Sequence, residues 1–179
     1  MFNLQPTLEN DLLIIRPMQA DDFDGLYKVA SDPLVWAQHP AKDRYQLPIF
    51  TPLFNDGLAS GGAFVVIDKA TNTIIGSTRF NPVKESANAI EIGWSYLARA
   101  YWGGVVNKSQ KYLLMDYAFK YVENVLFYIN QNNMRSRKAV EKLGGTLITH
   151  LDGQLLDARS EVGVIYRIAK NDYKIKQNA

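Results

Sequence analysis

Apolar and polar positions change period along the chain, and each change marks an element. LLIIRPM (12–18) is a short apolar run that stops at Pro17 and reads as a strand. DDFDGLYKVASD follows with acids where the partial positive charge of a helix start favours them. Residues 33–48, PLVWAQHPAKDRYQLP, hold three prolines and read as a loop or broken helix. IFTPLFNDGLAS resumes a helical pattern until Gly61 and Gly62. AFVVID and TIIGSTRF are β-rich runs separated by KATN, a hairpin signal, and AIEIGWSYL adds a further strand. Val106, Gln110, Leu113, Leu114, Tyr117, Ala118 and Tyr121 then recur at helical spacing, which predicts a helix over about 105–122. VLFYIN reads as a short buried strand. NNMRSRKAVEKLGG has cap-type residues in front, a stripe of Ala139, Val140 and Leu143, and glycine behind, the pattern of a compact helix. TLITHLDGQLLDARSEVGVIYRIA reads as two strands around a polar turn, and the KNDYKIKQNA tail (170–179) is expected to fray.

The order of strand, helices, three strands, helix, strand, helix and two strands predicts an α+β (α/β mixed-sheet) domain. At 179 residues, 1–179 form one domain with its core over 12–168, since about 150 residues already suffice for a substantial core. No segment approaches the roughly 20 apolar residues of a membrane span, and MFNLQPTLEN lacks the basic start and apolar stretch of an export signal, so a cytoplasmic chain is expected. The absence of cysteine excludes disulfides, thiolate metal sites and a cysteine nucleophile. With two histidines and no metal-binding spacing, no metal is expected. The formal charge of +2 is spread among acids, so neither nucleic acid nor a membrane is the expected partner, and the chain is expected as monomer or homodimer.

One stretch runs against helix chemistry. ARAYWGGVVNKSQK (98–111) opens the longest helical pattern with Gly103, Gly104, Asn107, Lys108 and Lys111, crowding positive charge onto a positive end. Helix-start N–H groups have no partner inside the helix, and flanking glycines let a ligand approach them. A bound phosphate would turn Lys108 and Lys111 into counter-charges; a plain loop with solvated lysines is the other reading. Neither GxxxxGK[ST] nor GxGxxG after a strand is present.

GWSYLARAYWGG, followed by the apolar helix, a short strand and NxxSRKAVEKLGG, resembles the GCN5-related N-acetyltransferase (GNAT) superfamily, and within it the ribosomal-protein N-terminal acetyltransferase-like branch. The resemblance covers about Leu12 to Ile168 and is densest between Glu91 and Gly145. It implies a largely antiparallel sheet splayed at the junction of the fourth and fifth strands, with acetyl-CoA as cosubstrate lying in the gap. It also implies that Ser95, Tyr96 and Leu97 bond the pantetheine through their backbone. Trp102, Gly103, Gly104, Val105, Val106, Asn107 and Lys108 would hold the pyrophosphate, and Asn133 and Ser136 would contact the cofactor arm. Ala100 and Val105 depart from the family signature; Arg99 and Gly104, each one place away, would restore it in a shifted loop.

Moving an acetyl group from a thioester to an amine requires a deprotonated amine, a polarised carbonyl and a protonated leaving thiolate. Direct transfer in a ternary complex suits a chain without a cysteine nucleophile. Glu91, alternating with Ile90 and Ile92 and sharing a face with Gly93 and Ser95, is either the general base or a solvent-facing strand residue, and the resemblance favours the base. Ser136 either protonates the thiolate or caps its helix, and Tyr166 is a second donor or a packed strand residue. In WAQHPAKDRY, the resemblance implies that His39, Arg44 and Tyr45 wall the acceptor site, His39 being either a second base or a structural residue. Arg79 binds either an acceptor carboxylate or a strand-face acid. The function expected is N-acetylation of a primary amine, a protein N-terminus or a small molecule. The alternative is a silent acyl-CoA-binding or sensing domain.

Overall fold

The computed structural model describes residues 2–160 and 163–177. The chain passes through β1 (Leu8–Glu9), β2 (Leu13–Pro17), α1 (Phe23–Ala30), α2 (Leu47–Ala59), β3 (Ala63–Asp68), β4 (Thr73–Pro82) and β5 (Ala89–Leu97). It continues through α3 (Val105–Ala118), β6 (Asn124–Asn130), α4 (Met134–Lys142), β7 (Thr146–Ile148), β8 (His150–Leu151), β9 (Gln154–Leu155), β10 (Gly163–Ala169) and α5 (Lys170–Gln177). Eight strands make one sheet in the order β1-β2-β3-β4-β5-β6-β10-β7, and β8 and β9 form a separate hairpin. Every neighbouring pair in the large sheet is antiparallel except β5 with β6.

Helices cover both faces. In β3, Phe64 and Val66 join the cluster built on Leu114, Met115 and Tyr117 of α3. Val65 and Ile67 of the same strand join Leu26 of α1 with Phe50 and Phe54 of α2 on the other face. A strand buried on both sides explains why AFVVID is an unbroken apolar run, and each such side chain contributes about 1.5–3 kcal/mol of burial.

The sheet splays where β5 meets β6. Pairing between them stops after Ala89↔Asn124, Ile90↔Val125 and Glu91↔Leu126. Beyond that point β5 continues along β4 while Phe127 to Asn130 continue along β10, leaving a V with an unpaired strand edge on each side. A bulge lies on β5 within this opening: the β4–β5 register shifts between Ser77 and Arg79, and Trp94 has φ +49°. An extra residue in a strand reverses the facing of those after it. Ser95 therefore turns toward α3, where it accepts from Lys111, while Tyr96 packs with Trp36. The expected common face of Glu91, Gly93 and Ser95 is corrected accordingly. Gly76 lets β4 pass beneath, since a Cβ there would sit 2.1 Å from the Tyr96 carbonyl oxygen.

Other boundaries also differ from the sequence reading. Pro33–Trp36 forms a 3-10 turn capped by Asp32, and α2 begins at Leu47, because Pro48 occupies the first turn, where its missing N–H costs nothing. Helix α3 ends at Ala118, short of 122, and the amides of Glu123 and Asn124 reach the Asn88 carbonyl at 3.1 Å to lead into β6. Within the expected polar turn, β8 and β9 pair as a hairpin. The tail expected to fray is helix α5, held by Tyr173, 4% exposed, which packs on Phe119 at 5.0 Å and donates to Asp116 at 2.7 Å. Residues 178–179 lie outside the described residues.

Candidate active site

The V opens into a cavity of about 1100 Å³ that runs from α2 and the loop before it, past β5, to α3 and α4. Eight lysines and arginines line it, and no aspartate or glutamate does among the described residues. Two arms of the cavity differ in chemistry.

On the α3 side the glycine stretch adopts the geometry that anion binding needs. Gly103 has φ +69°, a conformation that disfavours other residues, and Gly104 is the N-cap of α3. No side chain caps the helix and no acid occupies its first turn. A Cβ at either glycine would meet nothing within 4 Å, so the first-turn amides are approachable. Asn107 and Lys108 line the cavity, as do Lys138 and Lys142 of α4. Trp102 shores up the loop by donating from Nε1 to the Leu97 carbonyl at 2.8 Å, with the Arg135 guanidinium 4.0 Å over its ring. Val105 is 66% exposed and Val106 packs against the core, so neither side chain lines the cavity; what they offer is peptide N–H. Arg99 does not compensate for the missing signature residue, because it pairs with Asp32.

Lys111 is not the solvated lysine of the plain-loop reading. It is 7% exposed, donates from Nζ to Ser95 Oγ at 2.8 Å and lies 5.5 Å from the Phe127 ring centroid. Burial draws its pKa down to about 7. Ser95 Oγ also lies 2.8 Å from Thr78 Oγ1.

Asn133 caps α4, accepting from the Ser136 amide at 3.2 Å. Capping therefore belongs to the asparagine, and Ser136 is one of the residues that line the cavity.

Glu91 sits differently from expectation. Its side chain is 2% exposed, is absent from the cavity lining, and accepts from Arg159 Nη1 at 3.0 Å, Arg159 Nη2 at 2.6 Å and Asn81 Nδ2 at 2.8 Å. A carboxylate so engaged is neither the free base that the resemblance favoured nor the solvent-facing residue of the other reading; the cavity meets Arg159 in its place. Tyr166, the second expected donor, is 1% exposed, donates to Glu141, accepts from Arg137 Nε at 2.9 Å and lies outside the lining. Its hydroxyl is committed to the packing of α4 against β10.

The α2 arm carries His39, Arg44 and Arg79. The amide of Ala41 lies 3.0 Å from His39 Nδ1, and Arg44 Nη1 lies 3.2 Å from Nε2. Both neighbours are donors, so a second ring proton is disfavoured; burial first, and then the Arg44 charge, draws the pKa down to about 4. That corrects the second-base reading: His39 is a neutral support for Arg44. Arg79 is 5% exposed, donates from Nη1 to Asp56 at 2.8 Å and lies 4.4 Å from the Trp94 ring centroid. Opposite, Arg159 stacks 4.0 Å over Tyr128. Tyr96 presents its phenol to this arm, its pKa pushed up by burial. Trp94, Arg135 and Arg159 were not identified from the sequence as site residues. The bulge that turns Trp94, and the chain separations of the two arginines from β5, leave no local pattern to find.

Among the described residues no cluster of three potential ligands could hold a metal ion, and no helix is long and apolar enough to cross a membrane.

Residues 13–146 match the family described as an acetyltransferase (GNAT) domain. A Bacillus licheniformis protein described as an uncharacterized N-acetyltransferase, p20, is 32% identical over 118 residues, 63% of this chain and 66% of that protein. The match therefore spans a little less than two thirds of that relative. A GCN5-related N-acetyltransferase from Brucella melitensis superposes with a TM-score of 0.78 at 20% identity, covering 97% of this chain and 83% of its own. Mycobacterium smegmatis RimJ, solved in complex with CoA-disulfide, superposes with a TM-score of 0.65 at 14% identity, over 94% and 88% of the two chains. With the splayed sheet and uncapped helix start in place, these matches establish that the chain belongs to the GNAT acetyltransferase family.

Proposed function

We propose that the protein is an acetyl-CoA-dependent N-acetyltransferase acting on a primary amine by direct transfer in a ternary complex. The observation that carries this reading is the V between β5 and β6, whose unpaired edges lead to the uncapped N-terminus of α3. An extended amide-bearing arm can pair with such an edge as a strand would, and a diphosphate can accept from first-turn amides beside Lys108. The residues present therefore fit acetyl-CoA: a strand edge for the pantetheine, bare amides and lysines for the phosphates.

The cosubstrate supplies an acetyl group activated as a thioester. The neutral amine nitrogen attacks the thioester carbon, the C–N bond forms as the C–S bond breaks, and the proton lost by nitrogen balances the one gained by sulfur. Ser136, which lies in the cavity wall with its amide held by Asn133, is assigned the delivery of that proton. Glu91 acts by holding Arg159.

Incubating the purified protein with acetyl-CoA and a panel of amines should release CoA thiol, with saturation in both substrates and intersecting rather than parallel double-reciprocal lines. Parallel lines would point to an acyl-enzyme. A second reading, a silent acyl-CoA sensor, draws on the engagement of Glu91 by Arg159. Tight CoA binding without thiol release on any amine would establish it, and absence of CoA binding would remove both.

A further inference from the structure

The α2 arm of the cavity has more positive charge than its surroundings answer. Arg44 makes no ion pair among the described residues. Its Nη1 faces His39, which is neutral and has no charge to give, and its guanidinium lies 5.5 Å from the Trp36 ring centroid. Burial lowers the Arg44 pKa and the Arg79 charge adds to the effect, while Asp43, its chain neighbour, opposes it. Arg79 has one carboxylate partner, Asp56, whose side chain is 64% exposed and spends much of its charge on water. Its buried Nε has no hydrogen-bond partner. Two guanidinium groups near enough to perturb each other, with an orphan donor and no acid in the wall, are costly in a desolvated site. An arriving anion would offset that cost through charge-assisted, directional hydrogen bonds.

The anion sites expected for CoA lie elsewhere, at the start of α3 and along α4. Arg44 and Arg79 stand on the opposite side of β5, the side to which the Trp94 bulge turns Tyr96. Both arginines are therefore placed against the acceptor. Aromatic rings, Trp36, Trp94 and Tyr96, complete this wall and keep it water-poor. A polyamine or a cationic amino-sugar would meet positive charge here with no carboxylate to answer its own.

We infer, building on the acetyltransferase reading above, that the acceptor is an amine that also carries a carboxylate, which binds between Arg44 and Arg79 while the amine nitrogen faces the thioester. Free amino acids and peptides beginning with an acidic residue share this chemistry.

The test compares three acceptor sets with acetyl-CoA: free amino acids bearing an additional carboxylate, short peptides with amino-terminal Asp or Glu, and the same compounds with the carboxylate esterified or amidated, spermidine serving as the cationic control. Carboxylate-bearing acceptors are expected to be preferred in kcat/KM by about tenfold or more over their neutral forms, and whichever of the first two sets carries the preference identifies the source. Arg44→Gln is expected to raise KM for the carboxylate acceptors about tenfold while shifting KM for the neutral ones less than about twofold, and Arg44→Lys to restore part of the loss. A purely structural arginine would move both acceptor classes together. Equal or better turnover of neutral amines or spermidine overturns the inference and leaves the acetyltransferase reading standing. If no amine turns over, calorimetry of the CoA-loaded protein with the same acceptors decides: carboxylate-dependent binding lost in Arg44→Gln supports the anion site without catalysis, and absence of binding overturns it.

Discussion

Arg159 grips Glu91 with both terminal nitrogens, at 3.0 and 2.6 Å, so the buried carboxylate of β5 is answered by a cation from the segment that leads into β10. The pair fixes which charge the cavity meets. Glu91→Gln is expected to raise KM for the acceptor several-fold and to leave kcat and the affinity for CoA near wild type. A general base would instead show kcat falling by about 10²–10⁴ at unchanged KM, and steady-state kinetics separate the two. Glu91→Ala should also cost about 2 kcal/mol in denaturant unfolding, because Asn81 and the guanidinium lose their acceptor, with Arg159 remaining partly solvated.

The start of α3 offers a substitution in which stability and function part company. Gly104 has φ −100° and ψ −166°, ordinary for an aspartate N-cap, and a Cβ there meets open space. Gly104→Asp should cap the helix and stabilise the fold by a few tenths of a kcal/mol up to about 1 kcal/mol. It should also set a carboxylate where a diphosphate must sit and weaken CoA binding by about tenfold or more. Thermal unfolding and isothermal titration read the two effects, and unchanged CoA affinity would place the phosphates elsewhere.

Lys111 makes stability depend on pH with a definite sign. Its pKa, drawn down to about 7 from 10.5, means that between those values the unfolded chain binds more protons than the folded one. Stability from this group therefore rises with pH from about 7 toward 10.5, and the full burial penalty applies below 7. Lys111→Met should be more stable than wild type at pH 6, with the gap closing by about pH 10. Melting curves of both proteins across that range cancel the other titrations, and a gap independent of pH would show that the buried lysine is not the cause.

The carboxyl-terminal helix is part of the core. Tyr173 packs on Phe119 and Tyr112 and donates to Asp116. Tyr173→Ala is expected to cost about 3 kcal/mol, the order seen for removing a buried aromatic ring, and chemical denaturation measures it. A loss under half a kcal/mol would restore the frayed-tail reading.

Where side chains repeat at a fixed period, the sequence was a sufficient guide. The Leu114–Tyr117–Ala118 stripe, the two-faced apolar run of β3 and the cap-to-glycine frame of α4 fixed elements and order, because helix and strand periods are local. The tail misled because its signal is one aromatic, Tyr173, whose partners lie more than fifty residues away. Glycine and lysine at the start of α3 likewise marked, without any coordinate, a helix that opens with no side-chain cap and no acid in its first turn.

What the sequence by itself determined, then, is the mixed-sheet architecture and the place of a glycine-flanked helix start without acids: both follow from periodicity and from residue types that are local in the chain. Tertiary structure alone decided the chemistry around them. The Trp94 bulge adds one residue to β5 and so exchanges the faces of Ser95 and Tyr96, and chain separations of 68 and 16 residues bring Arg159 to Glu91 and Lys111 to Ser95. Whether a charge is a base, a support or a binding group depends on which partner closes on it and how much water remains, and neither quantity is local in sequence.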